Sequence, residues 1–339
     1  MEAKMMKALR KTKKGAGNIE LVNNIDIPVI GDDEVLMKVH AAGVCGSDLL
    51  IQEDKHFYKA PVTLGHEFSG VVEAVGKGVV KVRPGDKIVA DIETKNGWLG
   101  VTRDGAYAPY MAVPEAQIHV FPPDTDLDHA CFTEPVVATI HCMQERNNVK
   151  AGDFVVIVGP GPMGLLGVQF AKLRGASAVA LIGLRDDAKR LSIGEKVGAD
   201  YILYSDEQPE KRIIELTAGR GADFVLECSA SEKGVQHAID CARRAPEGMG
   251  GLGVISFISL WGKPITINAD AISLNQLSIQ GAWSWNGGES WRRAVDLISR
   301  RVFDLESLLT NRYTLDQWEL AFANLRAKQD VKAFIHPNQ

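Results

Sequence analysis

Cysteine is scarce and scattered in this chain: Cys45, Cys131, Cys142, Cys228 and Cys241, an odd count with no C-x-x-C pair. That spacing argues against a disulfide framework and against a structural zinc held by four thiolates. It fits a reducing compartment, which we read as the cytoplasm. No apolar run approaches the roughly 18 residues that a membrane span needs. A basic opening (Lys4, Lys7, Arg10, Lys11, Lys13, Lys14) is not followed by the apolar stretch of a secretory leader. Positive charge is not in excess either: a net charge of −5 gives no electrostatic reason to expect nucleic acid or an anionic membrane as partner. Internal repeats and low-complexity segments are absent.

What is present suits a soluble globular protein of ordinary composition, 45% apolar and 24% charged over 339 residues. That length implies two domains of roughly 100–200 residues each. Residues 32–44, 68–76 and 85–91 are short apolar or alternating runs separated by Gly, Pro and Asp, so the first part reads as β-rich. From about residue 150 the rhythm becomes strand, helix, strand. Residues 154–158 (FVVIV) form a continuous apolar run, as expected of a strand buried on both faces. A helical pattern over 163–173, a strand at 178–182, a helix at 189–197, a strand at 222–229, a helix at 231–243 and a strand at 252–258 continue the alternation. The expected fold class is α/β, with a doubly wound parallel sheet beside a β-rich domain. The tail 285–339 is mixed, with helices expected at 289–300 and 318–329.

Gly159, Gly161 and Gly164 stand at G-x-G-x-x-G spacing between the 154–158 strand and the next helix. In a dinucleotide site the first glycine makes the tight turn, the second lets the backbone approach a pyrophosphate, and the third lets helix and strand pack closely. Pro162 and Met163 open the helix, whose free N–H groups and positive dipole end face the anion; a proline there sacrifices no hydrogen bond. About 20 residues on, an NAD site carries an acid for the ribose hydroxyls. Here Gly183, Leu184 and Arg185 stand in its place. Gly183 offers no carboxylate and Arg185 can pair with a 2′-phosphate, which favours NADP(H) over NAD(H). The other reading makes Arg185 a solvated turn residue, with Asp186 serving the ribose.

Cys45 lies in a Gly-flanked loop, and His66 and Glu67 lie in a Gly-containing turn just before a strand. Thiolate, imidazole and carboxylate are the donors of zinc, and three protein ligands with an open fourth position define a catalytic site. Glu134 is a candidate fourth carboxylate, on the metal or on its water. Such a zinc polarises an alcohol oxygen. Taken singly each residue has a bland alternative: a small core hydrophobe, a satisfied histidine, a surface acid.

The chain resembles the zinc-containing medium-chain dehydrogenases of the sorbitol, threonine and polyol type over nearly its whole length. The resemblance rests on residues 43–48 (GVCGSD), 65–76 (GHEFSGVVEAVG), 85–89 (GDKIV), 133–135 (TEP), 155–166 and 198–203. It implies a GroES-like catalytic barrel from 1–136 and 284–339, and a Rossmann coenzyme domain from 137–283. It implies Cys45, His66 and Glu67 on a catalytic zinc, with Glu134 as fourth ligand or water anchor. Ser47 would begin a proton relay, and Asp48 would steady the metal site from behind. A homodimer or homotetramer acting on a small alcohol or ketone is the implied assembly.

Two departures carry expectations of their own. The four-cysteine lobe of many relatives is missing from residues 92–110, so one catalytic zinc and no structural zinc is expected. Leu50 stands where a histidine commonly passes the proton on, which leaves a water chain, the cofactor ribose or His56 for that task. Substrate-facing loops carry His56, Phe57, Tyr58, Tyr107, Trp283 and Trp285, aromatic faces suited to a polyol or cyclitol and equally suited to plain packing. Two other classes stay open on sequence alone: a zinc-free enone or quinone reductase of the same superfamily, and a non-catalytic nucleotide-binding protein.

Overall fold

The computed structural model describes residues 5–244, 253–283 and 289–339. The chain divides into two compact units, residues 1–137 with 286–339, and residues 138–285. Among the described residues no helix is long and apolar enough to cross a membrane.

The first unit is built on the strand Glu34–Gly43, whose Val35, Met37, Val39 and Ala41 are buried at every second position. That period of two is what puts successive side chains on opposite faces of a strand. It pairs antiparallel with Glu67–Val75 and with Tyr110–Pro114 on one stretch, and with Lys332–His336 at its end. The registers set Gly43 opposite Glu67 on one side and opposite Phe334 on the other. Cys45, Glu67 and Lys332 are thereby gathered about one point, although 288 residues separate Val44 from Lys332. The strand Leu309–Thr314 lies parallel to Lys332–His336 and completes that edge of a seven-stranded sheet. A core of Leu9, Val35, Met37, Phe68, Ile88, Phe322 and Ile335 fills this unit.

The second unit is a six-stranded parallel sheet. Its order is Tyr201–Tyr204, Ala178–Gly183, Phe154–Val158, Phe224–Glu227, Val254–Phe257, Ser278–Gly281. Phe154–Val158 is buried along its whole length, as a central strand covered on both faces must be. The order reverses next to it, the topological switch point at which open α/β sheets take ligands. Helices Pro162–Leu173, Ala188–Lys196 and Glu232–Cys241 fall where the sequence rhythm expects them. The short helices Pro209–Leu216 and Ala269–Leu274 were not apparent in it. In the first unit, Glu289–Ser299 and Trp318–Arg326 end slightly earlier than expected.

Candidate active site

Cys45 stands in extended conformation at the head of the short helix Gly46–Gln52, and its backbone N–H donates to Asp48 Oδ2 at 3.0 Å. His66 and Glu67 follow Gly65, whose φ of +94° suits glycine and whose missing Cβ would press on the Tyr107 ring at 2.7 Å. The ligand atoms of Cys45, His66 and Glu67 all lie within 4.8 Å of one another, the last two residues buried. His66 Nε2 is 3.4 Å from Ser47 Oγ, and Nδ1 is 3.7 Å from Asp48 Oδ1. Burial alone would lower the pKa of His66, but Cys45, Asp48 and Glu134 raise it to about 10. A field that strong around one buried ring is also the field that holds a dication, and the donor set is zinc's own. Buried Asp48 Oδ1 and His66 Nδ1 make no hydrogen bond.

The cluster is backed by two residues whose part the sequence did not disclose. Lys332, 2% exposed, forms an ion pair with Glu67 and donates to the Val44 carbonyl at 3.1 Å. Burial opposes its charge, yet Glu67 and Cys45 raise its pKa above the ordinary lysine value. A lysine inside the apolar run 331–335 was the signal available. Tyr107, expected among the substrate-facing aromatics, is instead fully buried. Its hydroxyl lies 2.7 Å from Asp48 Oδ2 and 3.0 Å from the Gly43 carbonyl, so its one proton supports the carboxylate behind Cys45, His66 and Glu67. Burial pushes the Asp48 carboxyl up, while His66, the Cys45 N–H and Tyr107 pull it down.

The other expected substrate residues differ in their surroundings. His56 is half-buried, its Nδ1 2.7 Å from the Phe57 carbonyl and its ring stacked on Phe57 at 4.5 Å. Burial lowers its pKa, and its ring feels the charges of His66 and Asp48. Phe57 meets Trp98 edge-on. The Tyr58 hydroxyl is committed elsewhere: it donates to Asp54 at 2.5 Å and accepts from the Gly15 N–H at 3.0 Å. Trp283 is half-buried just beyond the strand Ser278–Gly281, and Trp285 lies outside the described residues. Leu50 lies within the helix that follows Cys45.

In the second unit, Gly159 has φ +109° and makes the turn after Phe154–Val158. A Cβ at Gly164 would fall on the Gly159 carbonyl oxygen, so only glycine lets this helix approach its strand. A Cβ at Gly161, the residue capping helix Pro162–Leu173, would meet no protein atom. The surface over the first N–H groups, with Pro162 and Met163 at the helix start, is thus left free for an anion. Gly183 closes the neighbouring strand, and a side chain there would press on Leu191 and Pro160. Arg185 is held by Asp206 (Nε to Oδ2, 2.8 Å) and by Glu207, and its guanidinium lies 4.7 Å over the Tyr204 ring.

Comparison with known proteins agrees with this geometry. Residues 31–123 match the family described as alcohol dehydrogenase GroES-like domain, and residues 162–300 match zinc-binding dehydrogenase. The chain is 32% identical to sorbitol dehydrogenase of Halalkalibacterium halodurans, over 98% of its own length and 99% of the relative's. It is 31% identical to L-threonine 3-dehydrogenase of Bacillus subtilis, over 99% and 100%. A zinc-binding dehydrogenase from Sinorhizobium meliloti, solved bound to NADP, superposes with a TM-score of 0.87 at 29% identity, covering 98% and 100% of the two chains. The chain belongs to the zinc-binding medium-chain alcohol dehydrogenases, a GroES-like domain joined to a Rossmann-like parallel sheet. It is an NAD(P)-dependent, zinc-dependent alcohol oxidoreductase.

Proposed function

We propose that the substrate is a secondary alcohol of the polyol, cyclitol or sugar-like class, and that Cys45, His66 and Glu67 hold a single catalytic zinc, with Glu134 as fourth ligand or water anchor. The observation that carries this reading is the convergence of one thiolate, one imidazole and one carboxylate within 4.8 Å in the first unit. Zinc supplies Lewis acidity to the alcohol oxygen, and the nicotinamide accepts the hydride. The chain's own residues do the rest. Ser47, whose Oγ is 3.4 Å from His66 Nε2, takes the hydroxyl proton as the first member of the relay. Asp48 holds the Cys45 backbone and places a carboxylate 3.7 Å from the His66 ring, and Lys332 neutralises part of the negative charge that Glu67 brings. Leu50 cannot pass a proton, so the path beyond Ser47 runs through a water chain, the cofactor ribose or half-buried His56, whose Nδ1 faces the Phe57 carbonyl at 2.7 Å. His56, Trp283 and Trp285 are the proposed substrate contacts, offering rings to the CH faces of a polyol. No cluster of Arg or Lys in these loops calls for a sugar phosphate.

NADP(H) is the proposed coenzyme, on Gly159, Gly161, Pro162, Met163, Gly164, Gly183 and Arg185. The lack of a carboxylate at Gly183 supports it, as does the NADP bound in the Sinorhizobium meliloti relative. Arg185 is already paired with Asp206 and Glu207, so a 2′-phosphate would compete with two carboxylates. The preference over NAD(H) is therefore modest. The short hairpin of Glu93–Thr94 and Gly97–Trp98 lies in the stretch where relatives carry their cysteine lobe, which supports one zinc per chain. A cytoplasmic homodimer or homotetramer completes the proposal.

The test is zinc per chain by elemental analysis on protein purified without added metal, followed by turnover of a polyol panel with each coenzyme. One zinc and polyol turnover favouring NADP would support the reading. Turnover retained by Cys45→Ala would overturn it.

A further inference from the structure

Away from the Cys45 cluster, the first unit gathers a second set of metal-binding side chains that share no residue with it. His40 comes from the strand Glu34–Gly43, His336 from Lys332–His336, and Asp128 from the short helix Leu127–Ala130. That helix is anchored by Ser69, whose hydroxyl donates to the Leu127 carbonyl at 2.6 Å. His40 Nε2 lies 3.1 Å and His336 Nε2 lies 3.3 Å from the same oxygen, Asp128 Oδ1. All three donor atoms fall within 4.8 Å of one another.

We propose that His40, Asp128 and His336 form a second metal site, for a divalent transition cation that prefers imidazole, such as zinc, cobalt or nickel. The two distances to Asp128 Oδ1, 3.1 and 3.3 Å, are those of adjacent ligands on one ion: bonds of about 2.1 Å put neighbouring donors ~3.0 Å apart in an octahedron and ~3.4 Å apart in a tetrahedron. Two imidazoles with one carboxylate oxygen and no sulfur select this class of metal.

Hydrogen bonding alone accounts for the cluster less well. His40 Nε2 hydrogen-bonds Asp128 Oδ1 at 3.1 Å, but His336, 3% exposed and close to the His40 backbone, leaves its Nε2 without a well-formed hydrogen bond although the same oxygen is near. A buried nitrogen left in that state loses its hydration without a partner. The second carboxylate oxygen is taken: Arg312 Nε donates to Oδ2 at 2.6 Å, which fixes the carboxylate and turns Oδ1 toward the two rings. Partners of this kind orient metal ligands from outside. The His40 side chain is 40% exposed, so an ion has a path in from solvent and water has room to complete its shell.

The charge balance sets how the site behaves. Asp128 and Glu306 carry two negative charges, Arg312 carries one positive charge, and Glu306 lies 3.7 Å from Arg312 Nη2. The guanidinium opposes the incoming dication, so this site exchanges its metal, in contrast with the thiolate-containing cluster. When filled, it ties two strands and a helix of the same unit together.

The test adds cobalt(II) to the full-length zinc-loaded enzyme and follows bound metal by equilibrium dialysis with elemental analysis and the visible spectrum. The expected result is one additional cobalt per chain with zinc retained. Its bands should be d–d only, without the thiolate charge-transfer band that cobalt on Cys45 produces. His40→Ala, at a half-open position, should lose that additional equivalent, whereas Arg312→Gln should bind it more tightly. No uptake beyond replaced zinc would overturn the site, and so would an additional equivalent retained in His40→Ala.

Discussion

Tyr107 and Asp48 are buried side by side behind Cys45, His66 and Glu67, with the tyrosine hydroxyl 2.7 Å from Asp48 Oδ2. The same carboxylate oxygen accepts the backbone N–H of Cys45, and the other oxygen faces His66. One oxygen of this carboxylate thus joins the Cys45 backbone to the Tyr107 hydroxyl, while the other faces the His66 ring without a hydrogen bond.

Replacing Tyr107 by Phe removes one of the two donors to Asp48 Oδ2 and leaves only the Cys45 N–H on it. Zinc affinity is expected to fall about 10–100-fold, the usual effect of losing a partner behind a metal ligand. Stability should fall by about 1–3 kcal/mol. Zinc titration against a competing chelator reads the first, and chemical denaturation of the zinc-loaded protein reads the second. Unchanged zinc affinity would remove Tyr107 from the machinery.

Lys332→Met removes the cation paired with buried Glu67. Breaking such a pair costs about 3–5 kcal/mol. Adding Glu67→Gln removes the orphaned charge, so Lys332→Met should destabilise less in that background than in the wild type. Melting of the two single variants and the double variant, all stripped of zinc, checks this. Additive effects would mean that the pair is not coupled.

Gly164→Ala directs a methyl group at the Gly159 carbonyl oxygen. Helix Pro162–Leu173 must then shift from its strand, at a cost of about 1–3 kcal/mol. Nicotinamide coenzyme binding should weaken with zinc content unchanged. Coenzyme fluorescence titration together with metal analysis separates the two, and equal binding by the variant would contradict the expected role.

Arg185→Ala should weaken NADP(H) roughly tenfold relative to NAD(H), near the lower end of the 1.5–3 kcal/mol that hydrogen bonds to charged groups contribute. The lower end applies because Asp206 and Glu207 already engage the guanidinium. Dissociation constants for both coenzymes decide the point, and an equal effect on both would sink the phosphate-binding role.

Local pattern made much of this protein legible. The buried strand Phe154–Val158 declared itself as an unbroken apolar run, and the glycines after it declared the turn by their spacing. His66 and Glu67 are adjacent in the chain, and Cys45 stands in a short recognisable motif, so their chemistry is visible without coordinates. Lys332 and Tyr107 are different in kind. Lys332 reaches Glu67 only through the pairing of Lys332–His336 with Glu34–Gly43, a register that no local pattern carries. Tyr107 looked like a binding aromatic because a loop tyrosine presents both a face and a hydroxyl. Only its complete burial shows that the hydroxyl points inward. His40, Asp128 and His336 stand far apart in sequence, each unremarkable alone, and strand pairing and the placement of one short helix bring them together.

The pairing of Lys332 with Glu67 also has a bearing on the order of synthesis. Every candidate donor of the Cys45 cluster, from Cys45 to Glu134, leaves the ribosome before any part of the parallel sheet. The cation that balances Glu67 emerges after the whole of that sheet. A nascent chain bearing the full set of donors thus carries an uncompensated carboxylate for the time it takes to make the intervening unit. The pairing of Lys332 with Glu67 therefore forms only after the parallel-sheet unit has been made.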